Sequence, residues 1–118
     1  MTSLEKAKKI AEILDEKKAK EVRILHMTDQ TVITDYFVIA TATSSTHLKA
    51  LCDEVDFRLR QEDRIQSDRT EGYQGGGWIL ADYADVIVHL FDASNREFFK
   101  LEKLWTGAPE IDWERKED

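Results

Sequence analysis

The stretch GGGWILADYADVIVHLF, residues 75–91, decides how the rest of the chain is read. Its two apolar runs, 78–83 and 86–91, are short and rich in β-branched and aromatic residues, and Ala84 with Asp85 between them is turn-like, which predicts a hairpin. If Tyr83 opposes Val86, alternation sorts the side chains onto two faces. One face carries Ile79, Ala81, Tyr83, Val86, Val88 and Leu90 and suits burial beneath helices. The other carries Trp78, Leu80, Asp82, Ile87, His89 and Phe91. Large apolar anchors mixed with titratable groups are the composition of a partially exposed recognition surface. A three-residue loop would instead swap the faces of the second strand, His89 with it.

Outward from the hairpin, the chain reads as one folding unit. Ser3 can cap a first helix running to about Lys18, with Leu4, Ala7, Ile10, Ala11, Ile13 and Leu14 on its apolar face. VRILHM (22–27) and VITDYFVIA (32–40) read as two adjacent strands joined by the turn-like TDQT. The polar TATSST leads into a second helix, about 46–62, whose Leu48, Leu51, Cys52, Val55 and Leu59 recur at helical spacing while Phe57 lies opposite. RIQSDRTEGYQGGG is the least regular part and reads as a short edge strand followed by a glycine loop. Ser94 and Glu97 make a capping-box pattern for a third helix, with Phe98, Leu101 and Trp105 on one side and Gly107 and Pro109 beyond its end. The order α-β-β-α-(β)-β-β-α, with hairpins and one crossover helix, predicts an α/β single domain: a mixed sheet with helices mainly on one face. The boundaries are a domain over 1–107 and a charged tail over 108–118.

At 118 residues the chain is long enough to bury roughly 65% of its unfolded surface and to stand on an ordinary core. Its single cysteine excludes an internal disulfide, and Cys52 among Leu48, Leu51 and Val55 reads as core filler rather than nucleophile. MTSLEKAKKIAEILDEKK contains no long apolar run, and no segment approaches the ~20 apolar residues of a membrane span, so the expectation is a cytoplasmic protein with no membrane role. A net charge of −7 opposes a sequence-independent grip on nucleic acid, which needs lysines and arginines to neutralise phosphates, and favours a basic partner.

Catalytic readings find little support. A metal or phosphoryl-transfer site needs carboxylates converging from one face, and Asp82 on a strand and Asp85 in a turn need not converge. No nucleophile elbow or Cys-His signature is present, and His26, His47 and His89 are not at metal-ligand spacing. Three glycines before a strand do not cradle phosphate, which would need amides opening a helix, and the TATSST loop has no glycine. Taken singly, Asp85 suits the turn, Asp82 a cross-strand hydrogen bond and His89 a satisfied half-buried imidazole.

TDYFVIATATS (34–44), GGWILADYADVIVHLF (76–91) and REFFKLEKLW (96–105) together resemble the Iojap family, the ribosomal silencing factors, over about residues 3–106. The resemblance implies a fold similar to nucleotidyltransferases without their active site, and no enzymatic activity or cofactor. It implies binding to the fourteenth protein of the large ribosomal subunit, a basic protein, so that joining of the small subunit is blocked and translation falls when nutrients are scarce. It also implies a homodimer when free. The residues it carries over are Trp78, Asp82 and Asp85 of the D-x-x-D turn, His89 of the VH pair and Asp35 of TDYF. The sequence departs from the pattern in GYQGGG before Trp78 and in Phe99, where a tyrosine is common. A nucleotidyltransferase-like enzyme and a structural dimer module are the alternatives.

Overall fold

The computed structural model describes residues 1–29, 31, 33–99 and 107–113, with the side chains of 97–99 outside the description. The elements are α1 (Ser3–Glu16), β1 (Lys20–His26), β2 (Tyr36–Ala42), α2 (Ser45–Asp63), β3 (Arg69–Glu71), β4 (Trp78–Asp82), β5 (Val86–Asp92), α3 (Ala93–Phe99) and β6 (Glu110–Ile111). One sheet runs β3-β4-β5-β2-β1-β6. Its ladders are antiparallel except the central β2–β5 pair, which is parallel. The expected α/β domain with a mixed sheet is therefore what forms, and α1 and α2 share one face of it. Among the described residues, no helix is long and apolar enough to cross a membrane.

The hairpin register is the one that alternation requires: Trp78 opposes Phe91, Ile79 opposes Leu90 and Asp82 opposes Ile87. Ile79, Ala81, Tyr83, Val86, Val88 and Leu90 then join Ile24, Val38, Ala40 and Ala42 under Ile10, Leu14, Leu51, Val55 and Leu59 of the two helices. Burial of this continuous apolar layer is the main favourable term holding the helices to the sheet. Cys52 lies inside it, and burial, aided by nearby Asp53 and Asp56, pushes its thiol up to about 11, so it is an inert packing residue at neutral pH.

Helix ends differ from the sequence reading in an instructive way. Thr2, not Ser3, caps α1: its Oγ1 accepts the Glu5 amide at 3.1 Å while the Glu5 carboxylate accepts the Thr2 amide at 2.9 Å. Glu5 stands three residues after Thr2, so the reciprocal pair selects threonine. These bonds also hold the Glu5 carboxyl below the usual range. At α3 the cap is Asp92, whose Oδ1 accepts the Asn95 amide at 2.8 Å, and Ser94 sits inside the helix. The expected Phe98, Leu101 and Trp105 face lies outside the described side chains. At α2 the cap is Ser44, and His47 ties the helix to its neighbour. Its Nε2 donates to the Lys17 carbonyl at 2.7 Å and its Nδ1 accepts the Thr43 amide at 2.9 Å. The second strand begins at Tyr36, and Val32, where its start was expected, lies outside the described residues.

The segment expected as a charged tail adds an edge strand. Ile111 pairs with Ile24 and Glu110 with Leu25. The Glu110 carboxylate takes both oxygens to the Arg23 guanidinium, at 3.1 and 3.0 Å, and the Trp113 indole donates to the Val22 carbonyl at 3.0 Å. Ile111 and Trp113 extend the helix-side core past the last full-length strand. At the other edge, the irregular segment after α2 supplies the expected short strand, β3, all three residues of which are exposed.

Candidate docking face

The reverse of the sheet carries a second, smaller apolar cluster. Leu25, Met27, Ile39 and Phe91 are buried, with Phe37, Trp78 and Ala108 packed against them. Alternation puts Leu80, Asp82, Ile87 and His89 on the same side. This face is better buried than its mixed composition suggests. His89 is only 5% exposed and Phe91 fully buried, while Trp78, Leu80 and Asp82 remain partly open.

Trp78 and His89 form one aromatic unit. The indole stacks on Phe91 at 5.1 Å between ring centroids, its Nε1 donates to His89 Nδ1 at 3.2 Å, and the imidazole meets Phe37 in a T-shape at 4.6 Å. Burial lowers the His89 pKa to about 4, so the ring is neutral at physiological pH. Its Nε2 is buried without a hydrogen-bond partner among the described residues.

The glycine loop explains itself here. Gly77 has φ +75, and a Cβ on it would strike the Asp92 carboxylate and the Asn95 amide. Its carbonyl accepts the Asp92 amide at 2.9 Å, and Asn95 Nδ2 donates to the Gly76 carbonyl at 3.2 Å. Gly72, at φ +81, lies so close to the Trp78 carbonyl that no side chain fits. The glycines therefore let the loop lie against the start of α3 and deliver Trp78 to the face.

The three aspartates do not converge. The Asp82 Oδ1 accepts the Ala84 amide at 2.8 Å, which supports a turn in which Ala84 adopts φ 70, and its Oδ2 stands 3.7 Å from Arg69. Asp82 shares the face of Trp78 but lies four positions along β4, roughly 13 Å away. Asp85 belongs to the helix side: its carboxylate meets Lys6 of α1 at 2.5 Å, and the same ammonium reaches the Tyr83 carbonyl at 3.2 Å. Asp35, partly exposed before β2, donates its amide to the Asp85 carbonyl at 3.0 Å. So Trp78 and His89 are brought together, Asp82 lies further along the same surface, and Asp35 and Asp85 mark the same end of the sheet. Among the described residues, no group of three or more His, Cys, Asp or Glu could hold a metal ion. Lys6, Phe37, Asp92 and Asn95 are the supporting residues the sequence reading did not single out. Only Phe37 left a signal, in the alternation of YFVIA.

The family described as "Ribosomal silencing factor during starvation" matches residues 1–118. A ribosomal silencing factor from Halalkalibacterium halodurans is 38% identical over 86% of this chain and 86% of its own length. The mouse protein named "Mitochondrial assembly of ribosomal large subunit protein 1" is 29% identical over 82% of this chain, which spans 43% of that longer protein. A crystal structure of a Chromobacterium violaceum protein superposes with a TM-score of 0.85 at 28% identity, covering 98% of this chain and 95% of its own.

Proposed function

The chain belongs to the family of ribosomal silencing factors, and from that premise we propose that it is a cytoplasmic translation repressor that binds the large ribosomal subunit. The partner is the fourteenth protein of that subunit, and the bound factor sterically blocks joining of the small subunit. Trp78 carries this reading: a half-open indole held on an aromatic bed is the kind of rigid anchor that dominates interface energetics. Asp82 on the same surface and Asp35 at its end supply negative charge for a basic protein, as does the net charge of −7. The name of the mouse relative, which places that protein in large-subunit assembly, supports the large rather than the small subunit. No sequence-specific nucleic-acid contact, cofactor or catalytic step enters this mechanism. Silencing needs occupied space and slow dissociation. The free factor is a homodimer.

The divergence of Asp82 and Asp85 disfavours the nucleotidyltransferase alternative, since Asp85 is committed to Lys6. Co-sedimentation with large subunits tests the proposal and separates it from a dimer module without a ribosomal role. Trp78→Ala should lose ~2 kcal/mol of affinity, about thirtyfold, with the fold retained by circular dichroism. Wild-type binding by the folded variant would remove Trp78 from the interface and end this reading.

A further inference from the structure

Trp78 and His89 are diagonal neighbours across the β4–β5 ladder, since Trp78 opposes Phe91 and Leu80 opposes His89. Indole nitrogen can only donate. The 3.2 Å bond from Trp78 Nε1 to His89 Nδ1 therefore requires a bare Nδ1 and puts the single proton of the neutral ring on Nε2. A second proton would set two donors against each other. The imidazole is in turn held by Phe37 against its ring and by Phe91 stacked at 6.3 Å. With 5% of its surface exposed, it offers a partner little to touch.

We propose that His89 is a positioning residue for Trp78: its Nδ1 holds the indole edge in the orientation that docks, and His89 itself makes no contact with the partner. The proposal rests on Trp78 being the docking anchor. The Trp78 indole has rotational freedom about its side-chain bonds that a fixed acceptor removes, so ordering is completed before encounter rather than during it. Burial, which keeps the imidazole neutral, preserves the acceptor through the physiological pH range.

The test uses the full chain labelled with nitrogen-15, the indole signal of Trp78 being assigned by its loss in Trp78→Phe. In the wild type, long-range imidazole spectra should show His89 with its proton on Nε2, and the Trp78 indole proton should be shifted downfield and slow to exchange. His89→Gln, which keeps an acceptor, should retain that indole signal and bind large subunits close to wild type. His89→Leu should lose it and bind about fivefold more weakly, the effect of one lost orienting hydrogen bond. Equal losses of binding in both variants, with the indole signal kept in His89→Gln, would mean direct contact and overturn the proposal. Wild-type binding by His89→Leu would overturn it too, while leaving Trp78 as anchor if Trp78→Ala still fails to bind. If His89→Leu does not fold, the tautomer decides: a proton on Nδ1 in the wild type excludes the bond. Wild-type binding by Trp78→Ala would overturn the docking reading and this proposal together, even with the tautomer as expected.

Discussion

Along β5 the side chains alternate between two environments. Val86, Val88 and Leu90 lie beneath α1 and α2, whereas Ile87, His89 and Phe91 lie on the reverse of the same strand. All six are buried, so burial does not distinguish the faces. Their chemistry does. On the helix side the β5 residues are all aliphatic, the composition of a layer that excludes water. The reverse contains a neutralised histidine, stacked rings and a carboxylate at its margin. Burial desolvates groups on both sides: the Cys52 thiol and Tyr83 hydroxyl beneath the helices, both neutral at pH 7, and on the reverse an imidazole whose charging in the acid range burial opposes.

This contrast can be broken at several points. Leu51, fully buried between α2 and the sheet, should be the most sensitive: Leu51→Ala should cost about 4 kcal/mol in denaturant unfolding, through lost transfer free energy and an unfilled cavity. A much smaller cost would mean that the helix side is loosely packed and the contrast overdrawn.

The reverse face should respond to pH where the helix side does not. His89 titrates at about 4 folded against an ordinary value of 6.5. Between these values the unfolded chain takes up a proton that the folded protein refuses. Its contribution is therefore fully present above pH 6.5 and is lost progressively as pH falls towards 4, by about 3 kcal/mol in all. Unfolding free energies from pH 7 to 4 should fall less steeply in His89→Leu than in the wild type. Parallel curves would mean that the imidazole is not desolvated.

Truncation after Gly107 probes the sheet edge, where both faces end. It removes the two-residue β6 ladder, the Arg23–Glu110 pair and the Trp113 bond to Val22. A loss of about 2 kcal/mol of stability is expected, chiefly from uncovering apolar surface beside Ile111 and Trp113. An unchanged unfolding midpoint would mean that this segment adds nothing to the stability of the sheet edge.

The smallest effects separate the aspartates. Asp82→Asn should slow association with large subunits by a few-fold at low salt, and the effect should shrink as salt rises and exposed charge is screened. Asp85→Asn should leave association unchanged and cost about 1 kcal/mol of stability, because its carboxylate is held in a part-buried pair with Lys6 on the helix side. Equal kinetic effects would place both carboxylates at the interface.

How much of this was legible depended on how local the cause was. The hairpin register followed from a two-residue turn and period-two alternation, and the buried face of α2 from its spacing, since both are written in contiguous residues. The caps were displaced because Thr2 and Ser3, or Asp92 and Ser94, are alike as capping residues and only the observed bonds choose between them. β6 is two residues long, too short for any periodicity, and its formation depends on the distant edge of β1. The Lys6–Asp85 pair likewise joins positions far apart in the chain. The candidate face was legible as a set of residue types, but the union of Trp78 with His89 and the separation of Asp85 from both required the geometry.

The parallel ladder between β2 and β5 has a consequence for how the chain acquires this shape. β1–β2 and β4–β5 are each joined by short connections, but the seam between β2 and β5 pairs residues about fifty positions apart. Closing so long a loop is entropically costly before any contact repays it, and pairings of this range set the pace of small domains. The hairpins should therefore form first, and their lateral zippering along Tyr36–Ala42 and Val86–Asp92, with α2 settling across the join, should be the slow event. Until that zippering is complete, two sticky strand edges are open in the nascent chain, so the interval between hairpin formation and seam closure is when it is most prone to aggregate.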